Sequence, residues 1–142
     1  AIFIAHGGQK VFGWFGGQGL AETAQSFSKL GISAPFAYLA AFTEFFGGVA
    51  VLIGVLSRLA SLGLAIVMLV AVYKVHWANG FFLSDQGFEY NLALFAMSLA
   101  LILAGPGRLA LADWEARLWA KWIEEKEAES PEQKSEQKEA AA

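Results

Sequence analysis

The chain has 142 residues, 56% of them apolar and 14% aromatic, with a mean hydropathy of +0.47; that balance points to a lipid bilayer as solvent. The net charge of −3 belongs to the tail, because residues 1–113 carry five basic and five acidic side chains and residues 114–142 carry five against eight. A neutral body excludes the basic field that nucleic acid requires, and the absence of cysteine excludes disulfide exchange, iron–sulfur ligation and thiolate metal sites.

The chain opens on "AIFIA", apolar from its first residue. It reads as the end of a first span, Ala1 to about Phe12, roughly 8 to 12 residues short of the ~20 needed to cross. A signal peptide is the competing reading, but no basic region precedes the apolar run. "HGGQKVFGWFGGQGL" follows, from His6 to Leu20, with six glycines. Leu20 to Leu30 then fits a short amphipathic helix at the membrane interface. Pro35 to Leu56 is a second span with Glu44 as its single charge, and Pro35 suits the first turn of a helix. Only Ser57 and Arg58 separate it from a third span, Leu59 to Val75, so the two helices must be antiparallel neighbours. A fourth span, Phe88 to Ala104, ends at Gly105-Pro106-Gly107, which cannot continue a helix. Beyond it, Leu111, Trp114, Leu118 and Trp122 recur at helical spacing, widened by Trp119 and Ile123; tryptophan favours the headgroup level, so 112–123 reads as a surface helix or a helix docking on a partner. From Glu124 onward the chain lacks large apolar residues and reads as a disordered, solvated tail. The expected architecture is all-α: an integral membrane four-helix bundle over 1–111 with interfacial helices, a Trp-rich helix over 112–123 and a charged tail over 124–142.

Alternate crossing puts the end of span one, the start of span two, the end of span three and the start of span four on one side. The polar residues occur at those places. His6, Gln9 and Lys10 close span one, Glu44 lies about 13 Å into span two, Lys74, His76 and Asn79 close span three, and Glu89, Tyr90 and Asn91 open span four. A polar cavity near one membrane face follows, with the glycine-rich stretch as its lip. A carboxyl at that depth is expensive and needs a partner, for which Lys10, His6 and Tyr90 are the candidates. Arg58, Arg108, Arg117 and Lys121 favour a cytoplasmic C-terminus and an outward-facing cavity, although Lys10, Lys29 and Lys74 weigh against it.

"HGGQKVFGWFGGQGL", "EFFGGVAVLIGVLSRLASL", "MLVAVYKVHWANGFF", "GFEYNLAL" and "GPGRLALAD", in this order, resemble the DoxX family of small four-span membrane proteins over about Ala5 to Asp113. The matching positions are His6, Gln9, Lys10, Gly13, Gly16, Gly17, Gly19 and Leu20, then Glu44, Gly47, Gly48, Gly54 and Arg58, then His76, Gly80, Phe81, Glu89, Tyr90, Gly105 and Pro106. The long tail after Asp113 departs from the pattern. The resemblance implies a multi-pass protein of the bacterial plasma (inner) membrane linked to quinone redox chemistry; the fold transfers better than the chemistry.

A quinone site needs apolar walls and a donor or acid for the carbonyl. His6, Lys10, Glu44, His76 and Tyr90 are suitable types, and Trp14, Phe15, Phe45, Phe46, Trp77, Phe81 and Phe82 are candidate walls. The competing reading makes the same polar groups an ion-pair and hydrogen-bond network that holds the helices together. Axial haem ligation by His6 and His76 is weighed against their use as satisfied polar residues. No Glu-x-x-His pair supports a di-iron site and no local spacing supports zinc, so no metal is expected. "GGQGLA" follows a helix rather than a strand and is no dinucleotide loop. Gly47, Gly48 and Gly54 read as helix-packing positions, and Arg58 as an interfacial anchor. Three functions remain: a subunit of or accessory to a quinone-linked redox system, with a membrane or peripheral redox partner; a non-catalytic anchor or assembly protein; and, least favoured, a small transporter. Whether catalysis occurs, and the oligomeric state, do not follow from the sequence.

Overall fold

Glycine, in the left-handed backbone region that other residues avoid, ends the first two apolar runs. Helix α1, Ile2–Phe12, stops where Gly13 adopts φ +73° and donates its N–H to the Gly8 carbonyl. Helix α3, Ala34–Ile53, has Pro35 in its first turn and stops at Gly54, φ +74°, whose N–H returns to the Ala50 carbonyl. Between them the amphipathic helix α2, Gly19–Lys29, is tied to α1 by the buried Thr23 hydroxyl, which donates to the Lys10 carbonyl at 3.2 Å. Helix α4, Ser57–Ala71, runs on through a widened π turn, Val72–His76, and a 3₁₀ turn, Trp77–Asn79. Helix α5 is Glu89–Ala104.

The computed structural model describes residues 1–107, 110–111 and 120–126. Among these residues the protein is all-α, with no strand. Contacts divide the chain into two units, Ala1–Leu111 and Ala112–Ala142. In the second, residues 120–126 are helical and exposed. That helix extends past Glu124 because Glu124, Glu125 and Lys126 are good helix formers. Arg108, the 112–119 part of the expected Trp-rich helix with Trp114, Arg117, Leu118 and Trp119, and the 127–142 part of the tail lie outside the described residues.

The hairpin between α3 and α4 lies earlier than the expected Ser57-Arg58. It occupies Gly54 to Leu56, with both of those residues at positive φ, so Ser57 and Arg58 already belong to the first turn of α4. Gly54 also admits a second strand of chain: a Cβ there would lie 2.5 Å from Ala110 Cα, and the Leu111 N–H bonds to the Ile53 carbonyl at 3.1 Å.

The extensive packing runs in series, α1 on α3, α3 on α4 and α4 on α5. Small residues set the first two contacts. Gly7 meets the Phe45 backbone, and a Cβ on Gly48 would lie 2.9 Å from Ile4 N, which gives an antiparallel register between α1 and α3. On the next contact, Gly47 faces Leu64 and Gly63 faces Thr43. Between α4 and α5 the buried Asn91 donates to Met68 Sδ at 3.7 Å. The antiparallel order brings the C-termini of α1 and α4 to the same end as the N-termini of α3 and α5.

Ala34–Ile53 and Ser57–Asn79 are long and apolar enough to cross a membrane, yet only 28% and 22% of their windows are buried. A core helix of a water-soluble protein would be mostly buried. Here Leu39, Leu52, Leu59 and Leu103 are each more than 60% exposed, the pattern of helices whose outer faces meet lipid. Helix α5 is apolar but has 16 residues, about 24 Å of rise against a hydrocarbon core of ~30 Å.

Close backbone approach should therefore limit stability more than loop geometry does. We expect Gly7→Ala and Gly48→Ala each to destabilise the detergent-solubilised protein by roughly 1–3 kcal/mol through overpacking. A Cβ on Gly16 would meet nothing within 4 Å, so Gly16→Ala should lose only the positive-φ preference, about 1 kcal/mol. Thermal melts that rank Gly16→Ala as the most damaging of the three would contradict this order.

Candidate functional site

Lys10 lies in the last turn of α1, where a cation complements the helix dipole. Glu44 lies on the facing side of α3, and its side chain is 3% exposed. The antiparallel register set by Gly7 and Gly48 brings the two together, and the Lys10 ammonium donates to Glu44 Oε2 in a direct ion pair. Of the three partners expected for this carboxyl, the fold selects Lys10. The pair is unequal in solvation, since the Lys10 side chain keeps 28% of its exposure. Burying a carboxylate in a low-dielectric bundle is tolerable only with such a partner.

The pair lines a cavity of about 980 Å³ with contributions from all five α-helices and the segment joining α2 to α3. His6, His76 and Tyr90 line it as well, together with Lys74 and Asn91. Its remaining surface is chiefly apolar, with Phe3, Phe36, Leu39, Ile66 and Leu94 among the walls. Five of the seven polar candidates thus share one cavity: His6, Lys10, Glu44, His76 and Tyr90.

Gln9 and Glu89 do not line it. Each is the chain neighbour of a lining residue and so points about 100° away around its helix. Gln9 packs against Gly17, where a side chain would collide with it. Glu89 turns back and accepts the Leu83 N–H at 2.9 Å. The expected lip is displaced too. Gly13, Gly16, Gly17 and Gly19 do not line the cavity; Gly13, Gly16 and Gly19 serve the turn between α1 and α2 with positive φ, and Gly17 provides the close approach to Gln9.

The seven expected aromatic walls are also elsewhere. Trp14 stacks on Phe12 at 4.8 Å between ring centroids and meets Phe45 edge-on at 5.6 Å, over Gly8. Phe45 meets Phe46 at 5.2 Å. Phe15 is 77% exposed. Trp77 and Phe88 stack at 5.5 Å, and Phe81 meets Phe82 and Phe88 edge-on, fastening the loop between α4 and α5. These rings lie at helix and loop contacts or in solvent, and the aromatic residues of the walls are instead Phe3, Phe27, Phe36 and Tyr90.

That loop shapes the mouth of the cavity. Its ends are joined by the Phe88 N–H to the Gly80 carbonyl and the Glu89 N–H to the Phe81 carbonyl. Gly87 lies against Gly80 and Phe81 with no room for a side chain; only the folded loop reveals this requirement. His76 Nδ1 lies 2.6 Å from the Gln86 carbonyl, which also accepts from Asn79 Nδ2 at 3.3 Å. A carbonyl only accepts, so Nδ1 carries hydrogen and Nε2 is left as the exchangeable nitrogen of His76. The π turn that contains His76 and Lys74 was not legible in the hydropathy pattern; such turns are frequent at functional sites.

At the opposite end, Arg58 lies beside Gly105, whose Cβ would be 3.2 Å from the guanidinium. Gly105 has φ +78° and ends α5, and Pro106 follows it. Gly80, φ +78°, begins the α4–α5 loop and has open space around it. Among the described residues no cluster of three metal-ligating side chains occurs.

Comparisons with known proteins agree with this helical membrane body. A Bacillus subtilis (strain 168) protein named "Putative oxidoreductase CatD" is 32% identical over 100 residues, spanning 70% of this chain and 69% of that protein. An uncharacterised protein of Haemophilus influenzae is 38% identical over 58 residues, which cover 41% of this chain and 38% of that protein. No solved structure matches. The family model described as DoxX matches residues 1–77, from α1 to the end of the π turn and its next residue, and the chain is a member of the DoxX family of membrane proteins.

Proposed function

We propose that this protein is a multi-pass component of a quinone-linked redox system in the bacterial inner membrane and that the cavity at the Lys10 end receives the quinone ring. The observation that carries the reading is the Lys10–Glu44 ion pair lining an otherwise chiefly apolar cavity between membrane helices. The word oxidoreductase in the name of the Bacillus subtilis relative supports it.

In this reading Lys10 and His76 hydrogen-bond the carbonyl oxygens, and the apolar walls exclude water from the ring. Reduction of a quinone to a quinol takes up two electrons and two protons. The electrons come from a separate redox partner. Lys10 and protonated His76 supply the protons, Glu44 stabilises the recharged ammonium, and Nε2 of neutral His76 accepts a proton in the reverse direction. Tyr90 and His6 complete the polar mouth.

A purely structural role for the pair, in a non-catalytic anchor, is favoured by one observation: it joins α1 to α3. The two readings differ in asymmetry. Lys10→Met would leave a nearly inaccessible carboxylate without counter-charge, destabilising the protein by on the order of 3 kcal/mol. Glu44→Gln keeps the shape, and the partly exposed Lys10 remains hydrated, so we expect a stability loss of about 1 kcal/mol. Quinone bound by the purified protein, measured by extraction and by titration, should fall at least tenfold in Glu44→Gln while its melting temperature changes little. Unchanged quinone binding combined with a large drop in melting temperature would leave the anchor reading.

The sequence positions of Arg58, Arg108, Arg117 and Lys121 support a cytoplasmic C-terminus, with the cavity opening at the outer face. The chain contains no cysteine, so single cysteines report without background. Leu111 is 80% exposed at the Arg58 end, and Ser84 is exposed in the α4–α5 loop. An impermeant thiol reagent should label Ser84→Cys in intact cells and Leu111→Cys only after permeabilisation. The reverse pattern would invert the orientation.

A further inference from the structure

The cavity has an uncompensated charge. Among the described residues its only acidic lining residue is Glu44, and its basic ones are Lys10 and Lys74. Lys10 is taken by Glu44, which leaves Lys74 and one formal positive charge, rising further when His6 or His76 is protonated. Among the described residues no carboxylate pairs with Lys74; its ammonium lies 5.9 Å from the ring centroid of its own neighbour Tyr73. Glu89 and Asp85 do not line the cavity; Glu89 accepts the Leu83 N–H and Asp85 accepts the Ser84 hydroxyl. Glu22, on α2, is exposed and does not line the cavity.

The lining is chiefly apolar along its length. Lys74, His76 and Tyr90 lie at the mouth, where α4 ends and α5 begins. Phe3, Gly63 and Leu94 lie deeper. From Lys74 to Gly63 is eleven residues of helix, about 16 Å, and the Lys10–Glu44 pair lies toward the Gly63 end, beside the Thr43 that Gly63 faces. Several wall residues are exposed, Phe36 by 65%, Leu39 by 61% and Ile66 by 54%, so the groove opens sideways toward the hydrocarbon layer as well as at its mouth.

We propose that the cavity prefers an amphiphile with an acidic head group and a long apolar tail: the anion pairs with Lys74, assisted by His6 and His76, and the tail lies along the Phe36, Leu39 and Ile66 wall. For the quinone ligand proposed above, this means a ring carrying an ionised hydroxyl rather than a neutral ring. The inference rests on that cavity being a ligand site but not on the ligand being a quinone. Lys74 is exposed at the mouth, where the head group of an amphiphile would reach it, and an anion there pairs with it at short range.

Two matched pairs of probes test this in a neutral detergent. The first is a 2-hydroxy-3-alkyl-1,4-naphthoquinone and its 2-methoxy ether, equal in shape but anionic against neutral. The second is a long-chain carboxylic acid and the corresponding alcohol. We expect the acidic member of each pair to bind at least tenfold more tightly. Lys74→Gln should remove most of that preference, Lys74→Arg should retain it, and Lys29→Gln, outside the cavity on α2, should leave it unchanged. Bound hydroxynaphthoquinone should also ionise at lower pH than in empty micelles, read from its absorption, and Lys74→Gln should reverse that shift.

Equal binding within both pairs, or a preference that survives Lys74→Gln in a variant with an unaltered melting temperature, would overturn the proposal. Equal binding of the two quinones would leave the quinone reading standing. If neither quinone binds while the carboxylic acid outcompetes its alcohol through Lys74, the quinone reading fails and the acidic-head preference holds. Acetate or inorganic phosphate binding as tightly as the long-chain acid would show a free-anion site, and the amphiphile proposal would fall.

Discussion

A carboxylate that is almost completely withdrawn from solvent organises this protein. Glu44 is tolerable within a membrane helix only because Lys10 reaches it, and Lys10 reaches it only because α1 and α3 approach closely enough at Gly7 and Gly48 to align their ends. Electrostatics and backbone sterics thus depend on one another. Larger residues at the two glycines would push the helices apart, and a longer gap would leave the carboxylate with nothing but hydrocarbon around it.

That coupling also divides the two sides of the α1–α3 contact. Where the glycines permit close approach, Phe12, Trp14 and Phe45 stack over it and close it. Along the line of Phe3, His6 and Lys10, α1 instead borders the cavity. Aromatic rings bury large areas and prefer each other edge to face, so they gather where the backbone is already close. The cavity is walled by aliphatic side chains together with Phe3, Phe27 and Phe36, and by polar side chains such as His6, Lys10 and Glu44.

The far wall depends on a different device. Helix α4 does not end where its apolar run ends; it loosens into a π turn that carries Lys74 and His76, and the loop from Gly80 to Phe88 folds back so that Gln86 receives His76 Nδ1. One histidine nitrogen is thereby fixed by backbone. Lys74 lies on the same turn, with no carboxylate partner among the described residues, so a charged group and an oriented one at this end both come from an irregular stretch of helix.

Much was determined by the sequence by itself: an all-α membrane body, the positions of its helices to within a few residues, and the gathering of polar residues at one end, since hydropathy and the alternation of crossings depend only on chain order. Membership of the DoxX family was legible in the glycine-rich and polar motifs. Tertiary structure alone decided which of Lys10, His6 and Tyr90 meets Glu44, because that depends on helix register. It also decided that Gln9 and Glu89 turn away from their lining neighbours, that the seven aromatic residues expected as walls lie outside the cavity, and that the hairpin falls at Gly54 to Leu56. Those outcomes follow from angles of rotation about a helix and from backbone approach, and one residue of displacement turns a side chain by about 100°, a change that composition and spacing along the chain do not register.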